Sequence, residues 1–122
     1  MAVGHILVPI DFSDNSLNGL NVACEIGKKF NAVLHLVSAF HVPAPITDVG
    51  GAPQVIGAFI SDYKDEVQES LDELEKSVPE LQNVSYEKDV YLANTRDAIY
   101  TAIETKSIDL IVMGTRKSHK GI

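Results

Sequence analysis

The sequence predicts an α/β fold in which parallel strands alternate with helices within a single domain. Three observations carry this reading. Apolar runs at residues 5–10, 32–39 and 108–113 have the length of buried strands. The segments between them repeat apolar residues at helical spacing, the longest over roughly 54–77. The 122 residues are 45% hydrophobic and 22% charged, enough to bury one core without disulfides or metals. Alternation of this kind implies right-handed βαβ units and hence a parallel sheet.

The first strand, His5-Ile6-Leu7-Val8-Pro9-Ile10, is nearly unbroken, and Pro9, which has no N–H for a ladder, marks its end. Ser13 caps the helix that follows, with Asp14 in its first turn and Lys28 and Lys29 in its last, as the helix dipole prefers. Leu17, Leu20, Cys24 and Gly27 share one face of this helix. Ala32–Ala39 is a second buried strand, with His35 a structural residue inside it. Residues 40–53 hold three prolines and two glycines and read as a loop, long for a compact domain and so a functional candidate. The helix over roughly 54–77 turns Ile56, Phe59, Ile60, Tyr63, Val67, Ser70, Leu71 and Leu74 inward, and Pro79 lies just past its end. Val84–Tyr91 carries Glu87, Lys88 and Asp89, which places it at a sheet edge. Asn94 caps a short helix with Ile99, Ala102 and Ile103 inward, and Ile108–Met113 is the fourth strand, buried on both faces.

Charge narrows the function classes. A net charge of −7 argues against a nucleic-acid polymer as partner, because such binders need basic surface to displace counterions. The distribution is uneven, with Arg116, Lys117 and Lys120 clustered beyond the fourth strand in a tail that has no acid. These cations suit an anionic ligand such as a phosphate chain, or else form a solvated basic loop. The amino terminus lacks the basic region of a signal peptide, and no run approaches the apolar length of a membrane span. A single cysteine fits a reducing compartment, so a cytoplasmic protein is expected.

Ligands of such sheets bind outside the carboxyl ends of the strands, where the strand order reverses. The ends available are Pro9-Ile10-Asp11, Ser38-Ala39, Tyr91-Leu92-Ala93 and Met113-Gly114-Thr115. The first and fourth strands, being the most apolar, are expected at the centre, and as neighbours their ends would form one crevice. Asp11 reads either as a ligand group or as a turn and helix-cap carboxylate. Gly114 reads as a structural glycine and as a phosphate contact, the two being compatible. No histidine has a second ligand at metal-binding spacing. Cys24 reads as a small core residue. Ser13 and Ser16 have neither a nearby histidine nor a nucleophile elbow, so no catalytic residue is assigned. A phosphoacceptor receiver domain is rejected because the first strand ends in one acid, not an acidic pair.

Val8-Pro9-Ile10-Asp11-Phe12-Ser13, together with Asp109-Leu110-Ile111-Val112-Met113-Gly114-Thr115, resembles the universal stress protein family, and the resemblance covers the whole chain. It implies a Rossmann-like, doubly wound sheet, ordered 3-2-1-4-5 in the family and 3-2-1-4 here. Residues 1–122 would form one domain of this type, C-terminally incomplete, with the fifth strand and last helix beyond Ile122. It further implies a cytoplasmic, usually dimeric protein, and ATP as ligand in many members. Carried over by position, Pro9, Ile10 and Asp11 would meet the adenosine, with Asp11 near the ribose, and Ala39 would touch adenine through its backbone. Met113 and Gly114 would begin the phosphate motif, which runs G-x2-G-x9-G-[ST] in ATP-binding members. Here Lys117 stands where the second glycine belongs, Gly121 is off the required spacing, and the final G-[ST] would lie beyond Ile122.

Three function classes follow. The first is a non-catalytic stress-response protein binding ATP, AMP or another adenine nucleotide, with Arg116 and Lys117 as phosphate candidates and binding weak or absent. The second is a domain of this type that has lost nucleotide binding and acts through dimerisation or partner docking. The third is a weak ATPase, which lacks an identifiable general base. In the order 3-2-1-4 the fourth strand has one free edge, so a homodimer or larger assembly is expected, joined through that strand or the 114–122 tail.

Overall fold

The computed structural model describes residues 3–40 and 53–114. Strand β1 (His5–Pro9) leads to α1 (Asp14–Phe30), β2 (Val33–Phe40), α2 (Pro53–Ser77), a 3₁₀ turn (Pro79–Asn83), β3 (Ser85–Leu92), α3 (Thr95–Lys106) and β4 (Leu110–Ile111). The four strands form one sheet in the order β3-β2-β1-β4, with every pair parallel, as predicted.

Side-chain alternation assigns the two faces. Ile6, Val8 and Ile10, with Leu34 and Leu36 of β2, pack with Leu20, Ala23 and Cys24 of α1 and Leu71 and Leu74 of α2. The opposite face carries Leu7 and Val37 against Ala98 and Ala102 of α3. The sheet is therefore covered on both sides, and β1 and β2 are the strands buried between the layers.

Helix α1 ends as its sequence directs. Ser13 caps its start, and Asn31 closes it at φ 55°, in the left-handed region that asparagine tolerates. Cys24 is fully buried, and desolvation, with Glu80 adding to it, pushes its thiol to about 11, so it is a core residue and not a nucleophile. Strand β3 lies at the edge, as its charges predicted. There Lys88 Nζ contacts Asp72 Oδ1 at 2.9 Å and Glu75 Oε1 at 2.5 Å, while the Tyr86 hydroxyl donates to Glu75, tying α2 to the strand.

Two expectations need correction. The fourth strand is not central or buried on both faces: among the described residues β4 neighbours β1 alone, and Leu110 and Ile111 are 36% and 38% exposed. The physical reason is that α1 and α3 lie chiefly over β1 and β2, so that Leu110 and Ile111 are only partly covered. Phe59, assigned to the inward stripe, is 39% exposed. With 25 residues α2 spans about 37 Å, whereas the 8-residue strand β3 spans about 26 Å, so the helix outruns the sheet it covers.

Candidate functional site

Past the carboxyl ends of β1 and β2, a cavity of about 260 Å³ opens between the two helical layers. Six of the eight residues singled out in the sequence line it: Pro9, Ile10, Asp11, Ala39, Met113 and Gly114. Arg116 and Lys117 lie outside the described residues.

Backbone bonds put these ends together. Asp109 N–H donates to His5 O and Val112 N–H to Leu7 O, both at 2.9 Å, which fixes the chain leading to Met113 beside β1. The Asp109 carboxylate accepts from the Gly4 and His5 N–H groups, at 2.8 and 3.0 Å, and these bonds hold its pKa below the usual range. On the other side Ile10 N–H donates to Val37 O at 2.8 Å, and the Ser38 hydroxyl donates to Ile10 O at 3.1 Å. Gly114 then passes against the first turns of α1. A Cβ there would lie 1.7 Å from Asn15 O, and a Cβ on Gly19 would lie 2.8 Å from Gly114 N. Two glycines allow this backbone crossing, and Gly114 has the structural role read from the sequence.

Asp11 begins the turn into α1. Its Oδ1 accepts from the Ser13 hydroxyl at 2.5 Å and the Ser13 N–H at 3.0 Å. These bonds, the hydroxyl's first, lower its pKa. The carboxylate is thus a turn ligand, one of the two roles its sequence position allows. Ser16 N–H donates to Ser13 Oγ at 3.2 Å, and Asp11 N–H to Ser16 Oγ at 3.3 Å, closing the network. Ser13→Ala removes the helix cap and the strongest bond to Asp11 together. It is expected to cost about 1 kcal/mol in a urea melt and to raise the Asp11 pKa seen by NMR. Since that pKa is lowered in the fold, Asp11 stabilises the protein above its ordinary value of 3.8, and the contribution is lost as pH falls through the lower folded value.

Several lining residues were not anticipated. Phe12, 37% exposed at the mouth, has φ 65°, a strained conformation for a bulky side chain. Val37 shares the face of Ala39 two residues on, so strand periodicity could have found it. Thr95, Ala98 and Ile99 open α3, and the Asn94 cap was the available signal for them. Val67 enters through the docking of α2, which no local pattern encodes. Among the described residues no group of three or more His, Cys, Asp or Glu side chains could hold a metal, and no helix is long and apolar enough to cross a membrane.

Comparison with known proteins places the fold. The universal stress protein UspA from Lactobacillus plantarum superposes with a TM-score of 0.72 at 20% identity, covering 99% of this chain and 85% of that one. A universal stress protein from Burkholderia pseudomallei gives 0.70 at 22% identity, covering 93% and 82%. A universal stress protein solved in complex with cAMP gives 0.57 at 24%, covering 93% and 73%. No curated protein matches by sequence. The sequence model of the universal stress protein family matches residues 3–121, and this chain belongs to that family.

Proposed function

We propose that this chain is a non-catalytic, cytoplasmic stress-response protein that lodges the adenosine part of an adenine nucleotide in the cavity between β1, β2 and Gly114. The observation that carries the reading is the convergence of Pro9, Ile10, Asp11, Ala39, Met113 and Gly114 on one cavity. Most of its wall is apolar, as a base requires, and the Asp11 carboxylate offers an acceptor for a ribose hydroxyl. The cAMP complex of a protein with this fold supports the same ligand class.

The phosphates are the weak part. Lysine at position 117 cannot give the close backbone approach of the family's second glycine. Each missing charge-assisted bond costs on the order of 1.5–3 kcal/mol, so losing two or three weakens ATP by about a thousandfold or more. Calorimetric titration of the intact chain is expected to give adenosine, AMP and cAMP affinities close to that of ATP. A submicromolar ATP Kd would overturn this. Absence of binding by any of the four at millimolar concentration would favour the reading that Lys117 suggests, a domain acting by dimerisation or partner docking. Exposure of Leu110, Ile111 and Met113 supports self-association through β4 as a homodimer or larger assembly, which sedimentation equilibrium tests.

A further inference from the structure

On the α3 face, toward the amino ends of the strands, lies a polar layer that takes no part in the cavity. His5 Nδ1 and His35 Nε2 are 2.9 Å apart, and His35 is 3% exposed. The other ring nitrogen of His35, Nδ1, is buried without a hydrogen-bond partner among the described residues and lies 3.7 Å from Glu87 Oε1. Lys106, the last residue of α3, reaches over the same groups, 3.7 Å from Glu87 Oε1 and 3.3 Å from Asp89 Oδ2. Asp109 faces the pair from the chain before β4 through its bond to the His5 N–H. Among the described residues these are the charged groups around the two rings.

A neutral imidazole has one N–H and one lone pair, so two ring nitrogens at this distance share one proton. A lone pair on His35 Nδ1 would face the Glu87 carboxylate. The arrangement that avoids this puts the His35 hydrogen on Nδ1 and has His5 Nδ1–H donate to His35 Nε2. With that arrangement a proton taken up by His35 can enter only at Nε2, against the His5 N–H, and breaks the bond. His35 then carries a full charge in the buried layer, beside Lys106 and in competition with it for Glu87.

We propose that the His5–His35 pair is a proton-operated latch on α3: a proton taken up by His35 breaks the imidazole–imidazole bond, draws Glu87 from Lys106 and loosens the helix's last turn, which Lys106 then ties to the strand through Asp89. Helix α3 carries the consequence toward the cavity, because Ala98 and Ile99 at its start are wall residues. The latch does not depend on what the cavity binds. Burial, opposed by Glu87, lowers the His35 pKa, so this proton enters below the ordinary value of 6.5. The unfolded chain takes up its proton near that ordinary value, so stability held above it is lost as pH falls toward the lower folded one.

The test is NMR on the intact chain from about pH 7.5 to about pH 5, following imidazole signals and amide exchange protection in α3. Protection at Ala102–Lys106 is expected to fall about tenfold as His35 titrates. His35→Gln should abolish most of that fall. His5→Gln, at the partly exposed start of β1, removes a neighbour that lowers the His35 pKa and should carry the fall to higher pH together with the His35 titration, which keeps the test open if the buried variant does not fold. Unchanged protection in the wild type while His35 titrates, the full acid loss persisting in a folded His35→Gln, or a fall in His5→Gln that does not follow the His35 titration would overturn the proposal.

Discussion

Leu7→Ala is expected to lower stability by about 3 kcal/mol in urea unfolding, within the range for emptying a buried leucine site. Leu7 has no exposure, and its buried neighbours on the α3 face are Val37, Ala98 and Ala102, with Ile99, Ile103 and Ile108 packed against the same cluster. The two alanines are too short to reach into the space. Closing the hole therefore draws α3 toward the sheet, which would also move Ala98 and Ile99 at the cavity wall. A domain of this size has about 5–15 kcal/mol in total, so the variant loses a large share of it. Ile111, paired with Leu7 in register on β4 but 38% exposed, is the control. Ile111→Ala should cost under about 1 kcal/mol. Equal losses for the two variants would contradict the layer assignment.

The same contrast explains what was legible in the sequence. Strand β1 reads correctly because its apolar run is covered on both faces, and β3 because Glu87, Lys88 and Asp89 suit only an edge. Strand β4 has equally apolar residues, yet composition records only a need for cover and not which element supplies it. Helix α2 is recognisable along its length, but the point where it outruns the sheet depends on relative lengths, which a local pattern does not contain. At the site, strand-end positions and family motifs named Asp11, Ala39 and Gly114, whereas Val67 needed the three-dimensional path of α2. The His5–His35 contact was likewise hidden, because the parallel register sets His5 opposite Val33 and brings His35 near it only diagonally.

Gly114→Ala should be the most damaging single change at the cavity itself. The added Cβ would sit 1.7 Å from Asn15 O and 2.3 Å from Asn15 C, both backbone atoms, so no side-chain rotation relieves it. Neither backbone is free to retreat. The first turn of α1 is held by the Ser13 and Asp11 network, and the approach to Gly114 is held by the Val112 N–H bond to Leu7 O. The peptide at Met113 and Gly114 must then lift away from α1 and widen the cavity beside Pro9 and Ile10. The expected cost is about 2 kcal/mol, as for other overpacked sites, with adenosine affinity falling at least about tenfold because the wall is displaced. Gly57→Ala is the counterpart, since a Cβ there meets nothing within 4 Å and the residue lies inside α2. It should stabilise the protein by roughly 0.5–1 kcal/mol through helix propensity. Urea melts and adenosine titrations on the two variants separate the effects of the added methyl: at position 57 it acts on the helix alone, and at position 114 on the crossing that shapes the site. Wild-type stability and affinity in Gly114→Ala would mean that the crossing with Asn15 does not hold the cavity in shape.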